Sequence, residues 1–89
     1  MGTKKVKYGK EGISQLPNNK PALYRIETGS RTLNYVGTAK RGRVKERIAE
    51  HLEEIPGTRV SIEQFTSIHE ATKKEANVIK RNNPKYNKK

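Results

Sequence analysis

Residues 22–38 read Ala22-Leu23-Tyr24-Arg25-Ile26-Glu27-Thr28, Gly29-Ser30-Arg31, then Thr32-Leu33-Asn34-Tyr35-Val36-Gly37-Thr38. In the first run Ala22, Tyr24 and Ile26 fall on one face of an extended chain and Leu23, Arg25 and Glu27 on the other. Pro21 precedes it, and the Gly-Ser-Arg stretch supplies a turn before alternation resumes from Leu33 to Thr38. The two runs are therefore expected to pair as an antiparallel hairpin. The register stays open: in one, Tyr24 and Tyr35 share a face, and a slip of one residue separates them.

Beyond the hairpin, Val44, Ile48, Leu52 and Ile55 recur at helical spacing between Lys40 and Glu54, and Pro56-Gly57 ends that run. Thr58 to Thr66 is rich in β-formers, with Val60 and Ile62 on one face and Phe65 on the other, which predicts a third strand. Ser67 followed by Glu70 has the form of a capping box, so a second helix should run from there to about Arg81, stopped by Asn82-Asn83-Pro84. Toward the N-terminus, Val6, Tyr8, Ile13 and Leu16 follow no clear period, and residues 1–20 read as a basic arm with room for a short edge strand. The expected organisation is an arm, 1–20, and one domain, 21–89. Its class is α/β (α+β), a small three-stranded antiparallel sheet flanked by helices.

The chain has 89 residues, of which 30% are apolar, with 20 Lys and Arg against 9 Asp and Glu and a net charge of +11. Such a field attracts a polyanion, and nucleic acid is the commonest one. No run approaches a membrane span, and the basic N-terminus lacks the apolar stretch of a secretory signal, so the expectation is a cytoplasmic protein without a membrane role. The absence of cysteine excludes a thiol nucleophile, a cysteine zinc site and disulfides.

Glu75 is the sharpest single feature. On a helical wheel it falls within the stripe of Ile68, Ala71, Val78 and Ile79, and an unpaired carboxylate buried there costs several kcal/mol. It calls for a cation, a metal ion or a raised pKa; the plainer alternative is a salt bridge at the domain's edge. Arg47 stands at the margin of the first helix's stripe, where its stem can lie on the core and its planar head can meet a phosphate, or simply water. His51 follows one turn later, placed to handle a proton near neutral pH. His69 has no assigned role, and no histidine pair at ligand spacing supports zinc. Tyr24 and Tyr35 are expected to pack their rings in the core with the hydroxyls at the rim, where nearby cations would lower a phenol's pKa. Gly37 allows another backbone or a phosphate to approach closely.

In that order, Ala22-Leu23-Tyr24, Tyr35-Val36-Gly37, Arg47-x-x-x-His51, Glu75, Ile79-Lys80 and Pro84-Lys85-Tyr86-Asn87 resemble the motifs of the GIY-YIG endonuclease family over roughly three quarters of the chain. The resemblance implies a DNA-cutting domain that uses one divalent ion, Mg²⁺ or Mn²⁺. It implies Glu75 as metal ligand, Arg47 as phosphate clamp, Tyr24 and Tyr35 as the base and its partner, His51 as a supporting group and Asn87 as a residue closing the site. The departures are Ala22 in place of a glycine, Thr38 where members often carry Lys or Ser, and a segment from Thr38 to Arg43 about two residues longer than usual. Lys40, Arg41, Arg43, Lys45, Lys80 and Lys85 are the expected backbone contacts on DNA; Arg59, Lys73 and Lys74 add charge without naming a sequence. The family couples this domain to targeting domains in homing, restriction, repair or transposition enzymes. A chain this short has no room for one, which leaves non-specific action, action through a targeting partner protein, or a fragment of a larger protein as the open alternatives. The competing reading is a non-catalytic, basic nucleic-acid-binding module.

Overall fold

A computed structural model describes residues 3–29, 32–82 and 84. In chain order the elements are β1 (Thr3–Lys7), α1 (Lys10–Ser14), β2 (Ala22–Glu27), β3 (Leu33–Ala39), α2 (Val44–Glu50), β4 (Arg59–Gln64) and α3 (Ile68–Asn82). The sheet is antiparallel with order β1-β4-β2-β3. It has four strands where the sequence predicted three: β1, from the basic arm, pairs along β4 from Thr3↔Glu63 to Lys7↔Arg59. The period-two signal was short there because Val6 is the only apolar residue in the strand; Tyr8 falls just past its end, and Ile13 and Leu16 belong to α1 and the turn after it.

The hairpin is present, and its register is decided. Tyr24 lies opposite Gly37 and Ile26 opposite Tyr35, so the two tyrosines are diagonal neighbours on one face; an irregularity between Ile26 and Glu27 absorbs the extra residue of β3. Asn34 falls at that irregularity, is buried, and donates from Nδ2 to the Pro56 carbonyl at 2.7 Å.

Helices cover both faces of the sheet, which is why Ala22, Leu23 and Tyr24 are all fully buried although they alternate. Tyr24, Ile26, Val60 and Ile62 pack with Ile13, Leu16, Val44 and Ile48 on one side. Leu23, Val36 and Phe65 pack with Ala71 on the other, bordered by Ile68, Val78 and Ile79 of α3.

The first predicted helix is shorter than its apolar period. α2 begins at Val44, not Lys40, because Gly42 takes a left-handed conformation (φ +85°), and turns replace helix beyond Glu50. α3 starts as expected: the Ser67 hydroxyl accepts from the Glu70 N–H at 3.2 Å. The reciprocal half of the capping box is diverted, since the Glu70 carboxylate accepts instead from the Thr66 hydroxyl. None of the helices among the described residues is long and apolar enough to cross a membrane.

Candidate active site

Tyr24 of β2, Tyr35 of β3 and His51 at the C-cap of α2 form one aromatic cluster. The tyrosine rings stack with centroids 6.0 Å apart, and His51 lies 4.7 Å from Tyr35 and 5.8 Å from Tyr24. The Tyr24 hydroxyl is 2.9 Å from His51 Nε2. His51 Nδ1 is buried and has no hydrogen-bond partner among the described residues.

Tyr24 corrects the expectation of a hydroxyl at the rim, since the whole residue is buried. Burial pushes its pKa well above the ordinary phenol value, Tyr35 and Glu75 push the same way, and the opposing pull of Arg47 is weaker. The basic surroundings therefore do not lower it. His51 is shifted down, first by burial and then by Arg47, with Glu54 and Glu50 opposing; it is a neutral ring at pH 7.

Gly37 makes this cluster possible. A Cβ placed there would come within 2.5 Å of the Tyr24 hydroxyl oxygen and 2.9 Å of the Tyr35 ring. The group that approaches this glycine is thus the phenol of the facing strand.

At the β3 edge of the sheet a cleft of about 390 Å³ is lined by Thr38, Lys40, Arg43, Arg47, Ile68 and Thr72. Arg47 is half-exposed, with Nη1 3.8 Å from Glu50, and Arg43 pairs with Glu46 at 2.6 Å. Glu75 approaches from α3 on the far side of the strand. It is half-buried, and Thr38 is hydrogen-bonded to its side chain. Burial raises the Glu75 pKa, while Arg47 and the Thr38 hydrogen bond draw it down. Thr38, a departure from the resembled pattern, is the side chain that orients Glu75. Lys40, Arg41 and Arg43 are exposed around the cleft's approach, Lys45 is half-buried on α2, and Lys80 is exposed on α3. Lys85 and Asn87 lie outside the described residues.

Asn18 is the site-building residue that sequence reasoning missed. Its Oδ1 accepts from the N–H groups of Val44 (2.8 Å) and Lys45 (3.3 Å), and its Nδ2 donates to the Gly42 carbonyl at 3.1 Å. The Gly42 N–H donates in turn to the Asn18 carbonyl at 2.8 Å. Asn18 thereby acts as the N-cap that α2 lacks locally, and so fixes the helix that carries Arg47 and His51. Caps are read from the residue adjoining a helix; one supplied from the other side of a strand pair leaves no local signal.

No family profile and no curated protein matches the chain. Solved structures do. The N-terminal GIY-YIG endonuclease domain of UvrC from Thermotoga maritima, bound to magnesium, is 27% identical, with TM-score 0.71 over 89% of this chain and 94% of that one. An Asn-to-Ala point mutant of the same domain, bound to its catalytic divalent cation, gives 26% identity and TM-score 0.68 over 86% and 91%. A Tyr-to-Phe point mutant gives 26% and 0.71 over 90% and 94%. The fold is that of a GIY-YIG nuclease domain. The ordered tyrosines, Arg47, His51 and Glu75 are set on that fold as the resemblance to the GIY-YIG endonucleases implies.

Proposed function

We propose that this protein is a metal-dependent endonuclease that hydrolyses phosphodiester bonds in DNA. The observation that carries the reading is the convergence of Tyr24, Tyr35 and His51 with Arg47 and Glu75 at one edge of a sheet whose neighbours are endonuclease domains.

The donor set suits Mg²⁺ or Mn²⁺. No group of three or more acidic, histidine or cysteine residues capable of holding a metal occurs among the described residues. Glu75 alone, half-buried and with its charged form disfavoured by burial, fits a hard ion that keeps most of its waters and takes its other ligands from phosphate. When bound, such an ion stabilises the charge that develops on the phosphate oxygens.

The protein's own groups supply the rest. Thr38 holds the Glu75 carboxylate in place. Arg47 offers two parallel N–H donors to a non-bridging phosphate oxygen whose charge grows as water attacks. The raised pKa of Tyr24 argues against a standing tyrosinate. In the Nδ1–H tautomer of His51, the Tyr24 oxygen takes the proton from the attacking water as its own passes to Nε2, so that the positive charge ends on the imidazole. Tyr35, stacked on both rings, orients the pair. Lys40, Arg41, Arg43, Lys45, Lys80 and Lys85 supply contacts to the backbone, Asn87 closes the site, and a partner protein in the cytoplasm provides targeting.

The test is cleavage of supercoiled plasmid at low salt by the wild type and Glu75→Ala, with and without Mg²⁺. Nicking that needs the metal and disappears in the variant is the expected result. Retardation of DNA by both proteins without cleavage, on duplex, branched and single-stranded substrates alike, overturns the catalytic reading in favour of a binding module.

A further inference from the structure

α3 presents two different flanks. Thr72 lines the cleft of Arg47 and Glu75 meets Thr38 and the field of Arg47, whereas Lys73, Lys74, Asn77 and Arg81 join Arg25 of β2 along a second, larger groove of about 630 Å³. The helix packs on β2 and β3, and the same face of the sheet continues beyond it toward β4 and β1. There the register sets Arg25, Ser61 and Lys5 in one row and Glu27, Arg59 and Lys7 in the next, with Lys5 and Lys7 exposed.

The acidic residues in this region are already engaged. Both Glu63 oxygens accept from Lys74 Nζ, at 2.8 and 2.9 Å, and Arg25 stands 3.9 Å away; Glu70 accepts from Thr66. Lys73 and Arg81 are exposed and take part in no ion pair among the described residues. Glu63 thus orders two cations, and the groove keeps a surplus of positive charge with an amide donor, Asn77, between them.

We propose that this groove is a second nucleic-acid contact, which holds a sugar-phosphate backbone on the side of α3 away from the cleavage cleft. Phosphate contacts need cations and amide donors and no apolar anchor, which matches the lining. A protein partner would want a buried aromatic or aliphatic anchor, and Val78 is the one apolar side chain among the described residues that line the groove. The geometry also suits one duplex: an α-helix with its side chains is about 10–12 Å across, close to the roughly 12 Å width of a B-DNA major groove. Backbones on either side of that groove can then meet the two flanks of α3. The inference rests on the nucleic-acid part of the proposed function and not on its chemistry.

The experiment compares wild type with Lys73→Gln/Arg81→Gln and with Lys4→Gln/Lys10→Gln, which has the same net charge but alters exposed lysines on the α1 side of the sheet. Binding of a fluorescent duplex is followed by anisotropy over a range of salt without divalent ions, and plasmid cleavage is measured in parallel. The groove variant should bind about tenfold more weakly at low salt, with a log K against log salt slope smaller by about 2, and should cleave at the wild-type rate once DNA is saturating. Equal losses in both double variants, or none in the groove variant, overturn the proposal. Weaker binding by the groove variant in a protein that never cleaves would uphold the groove and refute the nuclease; cleavage with groove-independent binding would do the reverse.

Discussion

The Tyr24 hydroxyl lies 2.9 Å from Nε2 of His51, a pair 27 residues apart that joins the middle of the hairpin to the C-cap of α2. Both groups are drawn toward their neutral forms by burial, so the contact is a hydrogen bond between neutral groups rather than an ion pair. Its partner across the hairpin, Gly37, has no side chain to obstruct it.

If the pair moves one proton, Tyr24→Phe and His51→Ala should each slow single-turnover cleavage by about 10²-fold or more. The double variant should be barely slower than either single one, because groups that act as a unit are non-additive. Independent, multiplying effects would show that the two residues serve separate steps.

Gly37→Ala brings a methyl group into the space of the Tyr24 phenol. We expect a loss of about 1–3 kcal/mol in urea denaturation, together with slower cleavage as the phenol shifts from His51. Gly9→Ala, where a Cβ meets nothing within 4 Å, is the matched control and should change stability little.

The depressed pKa of His51 predicts a pH dependence of stability. Between its folded value and 6.5 the unfolded chain binds the more protons, so His51 makes stability rise with pH through that window. Above 6.5 its contribution is complete, and it is lost as pH falls toward the folded value. His51→Asn removes that slope, so the difference in urea midpoint between wild type and variant should change below pH 6.5 and be constant above it. A difference that stays constant through that window would rule out a depressed His51.

Asn18→Ala removes the remote cap from α2. A loss of about 0.5–2 kcal/mol is expected, with a fall in kcat larger than any change in DNA affinity, because the helix that carries Arg47 and His51 loosens while the basic surface is unaltered. Asn18→Asp keeps the accepting oxygen and should recover most of the rate.

Thr38→Val deletes the hydroxyl bonded to Glu75. The Mg²⁺ concentration for half-maximal cleavage should rise by about 10–100-fold, while metal-free DNA binding is retained. An unchanged metal requirement would leave Thr38 as a packing residue of β3.

Local pattern made much of this protein legible. The alternation of residues 22–28 and 33–38 gave the hairpin and its faces, the 3.6-residue period gave α2 and α3, and Ser67 marked the α3 start that its hydroxyl caps. β1 was legible only as room for a short edge strand in the arm, because a single apolar residue in five cannot display a period, and the start of α2 was misplaced because the lysines and arginines before Val44 suit helix and loop equally.

By itself, then, the sequence determined which residues are candidates for the chemistry, since the order and type of Tyr24, Tyr35, Arg47, His51 and Glu75 are chain properties, and it determined the net charge of +11 that surrounds them. Only the tertiary structure decided the hairpin register that sets Tyr24 against Gly37, the burial that raises one pKa and lowers another, the cap that Asn18 lends across the fold, and the second basic flank of α3. Those depend on distances between segments far apart in the chain. Desolvation, packing and charge pairing are set by such distances, and no local periodicity encodes them.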